Sequence, residues 1–190
     1  YNEKSNIYKL IESLEVVLKD IYWEIIFVDD NSPDKTADEV RKISQVNSKV
    51  HIIHRIGRYG LSSACTEGAI SASSKYVLIM DADMQHDEKI IIRMLNTLKS
   101  ENYNLVVGSR FVDGASASAG LSKIRENGSK LAIWMSQLIL KPIQLNDTMS
   151  GFFMFERQLF VKYADSFMPN GFKILLDFIM CAKKEIKIKE

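Results

Sequence analysis

The chain has 190 residues, of which 46% are apolar and 26% are charged, and its formal net charge is +1. This length is enough for a single domain with a sizeable core, and the composition is that of a globular protein. A net charge near zero gives no general attraction for nucleic acid, so we expect no nucleic-acid partner. Cys65 and Cys181 fit neither a disulfide framework nor a zinc site. No apolar run reaches the ~18 residues that a membrane-spanning helix needs.

Strand-like and helix-like patterns alternate along the chain. The predicted strands cover residues 24–28, 50–54, 76–80, 105–107 and 152–155. The predicted helices begin after Ser5 or Asn6, with Pro33 in the first turn of the second helix, at Gly60 or Ser62 and at about Asp87. Others cover 121–140, 158–164 and 172–182. The last residues, 184–190, read as a strand that is cut short. This alternation predicts an α/β fold with a doubly wound, mostly parallel sheet and helices on both faces.

Polar residues follow three of the predicted strands. Asp29 and Asp30 come after the first strand, Asp81 and Asp83 after the third, and Arg110 after the fourth. In an open α/β sheet, ligands bind at the carboxyl ends of the strands. We therefore expect these side chains to share one binding site at that edge.

The stretch from Lys75 to His86 is expected to form the centre of this site. Residues 76–80 are a continuous apolar run, which predicts a strand buried on both faces. Asp81, Ala82 and Asp83 follow it directly, and two carboxylates with the nearby amide of Gln85 suit a hard cation such as Mg²⁺ or Mn²⁺. The alternative is a polar strand end that precedes the cap of the next helix.

Seven motifs together resemble a known family. They are YNE, VDDNSPD, GRYGLSSA, MDADMQH, VGSRF, MSGFF and GFKILLD, in chain order. This set resembles the polyprenyl-phosphate branch of the family 2 glycosyltransferases, that is, the branch of enzymes like dolichol-phosphate-mannose synthase. The resemblance extends over nearly the whole chain and implies a GT-A-like fold. It also implies a single catalytic domain, residues 1–190, trimmed at both ends.

The resemblance implies a role for each matching residue. Tyr1 and Glu3 would border the nucleoside pocket, and Val28 and Asp30 would hold the base and ribose. The diphosphate and metal site would comprise Asp81, Ala82 and Asp83, with Asp81, Asp83 and Gln85 as metal ligands. Arg110 would lie near the donor and acceptor phosphates, and Arg125 and Ser129 near the acceptor phosphate.

The implied activity is the metal-assisted, inverting transfer of a hexose from GDP-mannose or UDP-glucose to a polyprenyl or dolichyl monophosphate. Because a phosphate monoester is largely ionised at neutral pH, it can attack without a general base. Asp83, Arg110 and Arg125 are the expected catalytic residues. The acceptor places the chain at the cytoplasmic face of a membrane, as a peripheral protein.

Two other functions are compatible with the sequence. A family 2 transferase that acts on a sugar hydroxyl needs a general base, for which Asp147 is the candidate. A non-catalytic module that binds nucleotide sugar is the second alternative. Two departures from the family pattern bear on activity, because the strand that normally precedes YNE is missing and the basic segment that normally follows the last strand lies beyond Glu190. A membrane partner or a C-terminal membrane segment is also expected.

Overall fold

The structure is a computed structural model that describes residues 1–57, 60–109, 145–168, 171 and 173–190. Three predicted site residues, Arg110, Arg125 and Ser129, lie outside the described residues, as does the helix predicted at 121–140. None of the helices in the described part of the chain is both long and apolar enough to cross a bilayer.

The described elements follow the predicted order. The helices are α1 (Ile7–Val17), α2 (Thr36–Ser44), α3 (Leu61–Ser71), α4 (Ile91–Ser100), α5 (Arg157–Tyr163) and α6 (Ile174–Ala182). The strands are β1 (Ile25–Asp29), β2 (Val50–His54), β3 (Tyr76–Ile79), β4 (Leu105–Val107), β5 (Phe153–Glu156) and β6 (Ile188–Lys189). Short 3-10 turns at Glu88–Ile90 and Ala164–Ser166 precede α4 and follow α5. The strand predicted from the last residues is therefore present as β6.

The strands form two hydrogen-bonded sheets. β1 and β2 pair in parallel, with Ile25 opposite Val50 and Asp29 opposite His54. The second sheet has the order β3-β5-β4-β6, in which β5 is antiparallel to both of its neighbours and β4 is parallel to β6. β3 and β4 therefore run in the same direction, and β5 is the antiparallel exception in a sheet that otherwise matches the prediction.

Helices cover both faces of the sheets, as predicted. Successive residues of a strand point to opposite faces, and along β5 Met154 enters one core cluster while Phe153 and Phe155 enter the other. The first cluster holds the apolar side chains of α1, α2 and α4. The second holds those of α5 and α6 together with Ala69 of α3. Five phenylalanine rings of the second cluster contact one another in stacked, tilted and edge-to-face pairs. They are Phe153, Phe155, Phe160, Phe167 and Phe178.

Two local predictions are wrong. Pro33 does not lie in the first turn of a helix, because α2 begins only at Thr36, after Lys35 adopts a left-handed φ of 67°. Residues 76–79 are only half-buried, although we predicted burial on both faces. The reason is that β3 pairs with β5 along one edge, while its residues also line a cavity that separates it from β1.

Candidate functional site

Six of the predicted site residues line one cavity, which has a volume of about 540 Å³. They are Tyr1, Glu3, Val28, Asp81, Ala82 and Asp83. The first residues of the chain are held at this edge by hydrogen bonds, because the backbone N–H of Asn2 donates to Ser32 Oγ at 3.0 Å and that of Glu3 to Thr36 Oγ1 at 3.1 Å. The structure thus brings together residues from three separate parts of the chain.

The acidic end of β3 is open to solvent. The Asp81 side chain is 53% exposed. Asp83 is half-buried, and its Oδ1 accepts the backbone N–H of Gln85 at 3.0 Å. Met84 has a left-handed φ of 64°, so the backbone turns sharply between Asp83 and Gln85. The outer oxygens of both carboxylates can therefore meet a ligand from the solvent side.

The loop before β5 packs against Asp81. A Cβ atom added at Gly151 would lie 2.9 Å from Asp81 Oδ2, closer than side chains normally approach, so it would displace the Asp81 carboxylate. The next residue, Phe152, stacks on the His86 ring with centroids 4.7 Å apart and planes 11° apart. His86 Nε2 lies 3.6 Å from Asp81 Oδ2. His86 therefore packs beside the acidic motif.

The carboxylates at the end of β1 accept hydrogen bonds from neighbouring residues of the protein. Asp29 is 3% exposed, and its carboxylate accepts the Ser32 N–H at 3.0 Å and the Ser32 hydroxyl at 2.5 Å. Asp30 accepts from Arg55 Nε at 2.5 Å. Asp30 does not belong to the cavity lining, although it lies only two residues after Val28, which does. The expected contact of Asp30 with the base and ribose stays a prediction.

Arg55 lies at the edge of the candidate site and was not among the site residues predicted from the sequence. It is 6% exposed and joins the ends of three elements, because it also donates to Ser63 Oγ at 2.9 Å and to the Gly60 carbonyl oxygen at 3.2 Å. Its position one residue after a strand, on the edge that carries Asp30, was the available signal. Arginine suits this role because its planar group can donate in several directions at once.

Cys65 of α3 lies in the cavity wall. Burial raises the pKa of its thiol to about 12, and the nearby Asp81 carboxylate adds to the increase, while Arg55 opposes it. The thiol is therefore protonated at neutral pH and acts as a small apolar surface.

The side chains at β3 fit a hard cation in part. Within residues 1–57, 60–109, 145–168, 171 and 173–190, no group of three or more His, Cys, Asp and Glu side chains is arranged around a common point. Asp81 and Asp83 instead offer two carboxylates at an open edge. Mg²⁺ is usually bound by one or two carboxylates together with substrate phosphates, so this donor set suits a cation that arrives with a diphosphate.

Asp147, the candidate base for a hydroxyl acceptor, is fully buried. Its Oδ1 accepts the backbone N–H of Met149 at 3.3 Å, and its own N–H donates to Glu190 Oε1 at 2.9 Å. Asp147 therefore stabilises the loop that leads to Gly151 and the last residue of the chain, and it does not line the cavity.

Comparison with known families gives a match over most of the chain. The model of the family described as glycosyl transferase family 2 matches residues 1–172. A dolichol-phosphate mannosyltransferase of Pyrococcus furiosus is 33% identical over 184 residues, which are 96% of this chain and 51% of that protein. A dolichol-phosphate mannosyltransferase of Saccharomyces cerevisiae is 32% identical over an alignment of 191 residues that covers 94% of this chain and 67% of that protein. The chain thus spans about half the length of the first of these relatives.

Solved structures agree with the fold. The glucosyl-3-phosphoglycerate synthase of Mycobacterium tuberculosis, solved with Mn²⁺, UDP-glucose and phosphoglyceric acid, superposes with a TM-score of 0.69 over 97% of this chain and 62% of that one. The same protein solved with UDP alone gives a TM-score of 0.63 over 96% of this chain and 62% of that one. At 17% and 18% sequence identity, these similarities establish the GT-A-like fold only.

Proposed function

The chain belongs to glycosyl transferase family 2, and from this premise we propose that it transfers a hexose from a nucleotide sugar to a polyprenyl monophosphate. One observation carries the proposal: the first residues of the chain, the end of β1 and the acidic end of β3 line the same cavity. A nucleoside diphosphate needs an apolar or aromatic surface for its base and a charge-compensating site for its phosphates. Tyr1 and Val28 supply the first, and Asp81 and Asp83 supply the second through a cation.

Mg²⁺ or Mn²⁺ is the proposed cofactor, held by Asp81, Asp83 and Gln85. When bound, such a cation offsets the negative charge that develops on the leaving nucleoside diphosphate. Asp81 and Asp83 would hold the cation, and the backbone N–H of Gln85 restrains Asp83 by donating to its Oδ1. This hydrogen bond uses one oxygen of Asp83, and the other oxygen is the one proposed to meet the cation.

The proposed acceptor is a lipid phosphate rather than a sugar hydroxyl. Attack by a phosphate oxygen on C1 forms one C–O bond as the bond to the diphosphate breaks, and the diphosphate leaves with the electron pair. A phosphate monoester has a second pKa near ~6, so no base is required at neutral pH. The complete burial of Asp147 favours this acceptor, because a hydroxyl acceptor would need an accessible carboxylate.

Attack from the side opposite the leaving group inverts the anomeric carbon. Arg110, Arg125 and Ser129 are proposed to receive the acceptor phosphate, since arginine matches phosphate oxygens in a bidentate geometry. The names of the curated relatives favour mannose as the sugar and GDP-mannose as its donor, with UDP-glucose as the alternative. The acceptor would be met at the cytoplasmic face of a membrane.

Metal-dependent donor binding tests the proposal. Calorimetry with GDP-mannose and with UDP-glucose, each with and without Mn²⁺, should reveal binding of one donor that requires the metal. Asp83→Asn should weaken that binding by at least about tenfold and reduce transfer to a polyprenyl phosphate by about 10² to 10³. Asp87→Asn is the matched control, because Asp87 is exposed, lies outside the cavity lining and caps a turn, a role that asparagine keeps.

Three results would contradict the proposal. Equal donor binding by the Asp83→Asn and Asp87→Asn variants would remove the acidic end of β3 from the site. Donor binding without turnover by the chain extended to the length of its relatives would indicate a binding module. A product with the anomeric configuration of the donor would exclude direct attack by the lipid phosphate.

A further inference from the structure

His86 carries a buried ring nitrogen beside the acidic end of β3. Within the part of the chain that the structure describes, its Nε2 atom is buried and makes no hydrogen bond. Asp81 Oδ2 lies 3.6 Å from this nitrogen, which is about 0.7 Å beyond the usual length of an N–H···O hydrogen bond. A buried polar group without a partner destabilises the fold, so its retention points to a role.

The ring of His86 is fixed by Phe152, on which it stacks with ring centroids 4.7 Å apart. Phe152 is itself tied to the end of β4, because its carbonyl oxygen accepts the Gly108 N–H at 2.8 Å. Its own N–H donates to Ser150 Oγ at 3.1 Å, and the Ser150 hydroxyl donates to the Gly108 carbonyl oxygen at 2.7 Å. The imidazole therefore has a defined position against the second sheet.

The Asp81 carboxylate is free to adjust next to this fixed ring. Its side chain is 53% exposed, whereas that of His86 is 20% exposed. The backbone at Gly151 also approaches Asp81 Oδ2, since an added Cβ would lie 2.9 Å from it. Both contacts involve Oδ2, so this oxygen faces the protein. A small rotation of the carboxylate is enough to bring Oδ2 within hydrogen-bond distance of Nε2.

Carboxylates that hold a metal are usually hydrogen-bonded themselves, and the donor sets their orientation. Asp83 has such a donor in the backbone N–H of Gln85, at 3.0 Å. His86 Nε2 is placed to serve Asp81 in the same way. An imidazole can donate from Nε2 in one neutral tautomer and in the protonated form, so this role requires no change of charge.

We propose that His86 is a positioning residue for the cation site. Its Nε2–H donates to Asp81 Oδ2 when the cation binds, and this hydrogen bond turns Oδ1 toward the cation. Phe152 keeps the imidazole in place while the carboxylate moves. This inference rests on the proposed function, because it assigns a role toward the same cation and nucleotide-sugar donor.

Substitutions that separate the ring from its N–H test the proposal. His86→Phe keeps a ring that can stack on Phe152 and removes the donor. His86→Gln removes the ring and can place an amide N–H where Nε2 lies. Mn²⁺ affinity is measured from the electron paramagnetic resonance signal of free Mn²⁺, in the presence of whichever of GDP-mannose and UDP-glucose the parent chain binds.

His86→Phe should weaken Mn²⁺ binding by about tenfold or more, whereas His86→Gln should retain most of the parent affinity. A role in packing alone predicts the opposite order, because only phenylalanine preserves the stack. Donor affinity without metal should be the same in all three proteins. His51→Phe is the matched control, because His51 Nε2 also lies 3.6 Å from a carboxylate oxygen, that of Glu24, at the other end of β1. Its Mn²⁺ affinity should equal that of the parent.

A second pair of variants answers the question if His86→Phe does not fold. His86→Asn and His86→Gln both lack the ring, but the asparagine amide ends one carbon closer to the backbone, near the position of Nδ1. It cannot reach Asp81, so His86→Asn should bind Mn²⁺ more weakly than His86→Gln. Thermal denaturation followed by circular dichroism checks that both variants are folded.

The outcomes separate this inference from the proposed function. If the parent shows metal-dependent donor binding but His86→Phe binds Mn²⁺ as tightly as His86→Gln or more tightly, the positioning role is overturned and the proposed function stands. Equal Mn²⁺ affinities for His86→Asn and His86→Gln would overturn it in the same way. A parent chain without metal-dependent donor binding would overturn both.

Discussion

The two acidic strand ends look alike in sequence and differ in structure. Each follows a short apolar strand and places two carboxylates at the same edge of the sheets. At β1, Asp29 is 3% exposed and accepts two hydrogen bonds from Ser32, and Asp30 accepts from Arg55. At β3, Asp81 is 53% exposed, and Asp83 accepts the Gln85 N–H through its Oδ1.

This difference separates a structural role from a ligand-binding role. The carboxylates of β1 use their acceptor capacity on the protein, where they hold the turn before α2 and the start of α3. Those of β3 keep accessible oxygens at the mouth of a cavity. A cation needs accessible oxygens, so these contacts support our proposal that the acidic end of β3 binds the phosphates through a cation.

The largest expected effect is a difference in the free energy of unfolding between alanine variants at the two strand ends, Asp29→Ala and Asp81→Ala. Asp29→Ala leaves the buried Ser32 N–H and hydroxyl without their acceptor, and each such group costs about 1–3 kcal/mol. We expect the free energy of unfolding to fall by about 3 kcal/mol. Asp81→Ala should change it by less than about 0.5 kcal/mol, because the side chain is largely exposed.

Urea denaturation followed by circular dichroism measures both variants. Asp29→Asn is the intermediate control, because an amide oxygen can still accept one hydrogen bond from Ser32. Similar losses for the alanine variants at Asp29 and Asp81 would contradict the assignment of different roles to the two strand ends.

Strand positions could be predicted from the sequence, whereas strand environments could not. The apolar run after Lys75 predicted β3, and the alternation of patterns predicted helices on both faces. Burial of β3 depends on whether a neighbour pairs with each edge, and this is a long-range property that no local pattern contains. The antiparallel direction of β5 is of the same kind.

The residues of the candidate site could likewise be predicted from the sequence, whereas their contacts could not. The resemblance identified Tyr1, Glu3, Val28 and the acidic motif, and the structure brings these residues to one cavity. The partner of Asp30 could not be found, because Arg55 follows a different strand and meets Asp30 only after β1 and β2 pair. An acidic residue at a strand end therefore has to be assigned from its contacts.

The second prediction concerns the close approach of Gly151 to the open strand end. In Gly151→Ala the new methyl group would lie 2.9 Å from Asp81 Oδ2, so the carboxylate must move. We expect metal-dependent donor binding to weaken by about tenfold, which corresponds to about 1.4 kcal/mol. Isothermal titration with Mn²⁺ and the preferred donor measures this change.

Gly171→Ala is the control for the added methyl group. Its Cβ would lie 3.1 Å from the Met168 carbonyl oxygen, and Gly171 does not line the cavity. Its donor affinity should therefore equal that of the parent chain. Equal affinities for all three proteins would indicate that the position of Asp81 has no effect on the donor.

The smallest expected effect is the pH dependence of the contact that joins the amino ends of β1 and β3. Burial acts to raise the pKa of Glu24, but hydrogen bonds from Ser73 and Ser74 and the charge of His51 outweigh it and lower the pKa below its ordinary value. A carboxyl group whose pKa is lower in the folded state stabilises the fold above its unfolded pKa, and this contribution is lost as the pH falls through the folded pKa. We therefore expect the free energy of unfolding to decrease from about pH 5 to pH 3.

Denaturation at a series of pH values should show a smaller decrease for Glu24→Gln than for the parent chain, and an unchanged decrease for substitution of the exposed Glu12 by Gln. Identical pH profiles for both variants would mean that the Glu24–Ser73 contact does not hold the two strands together.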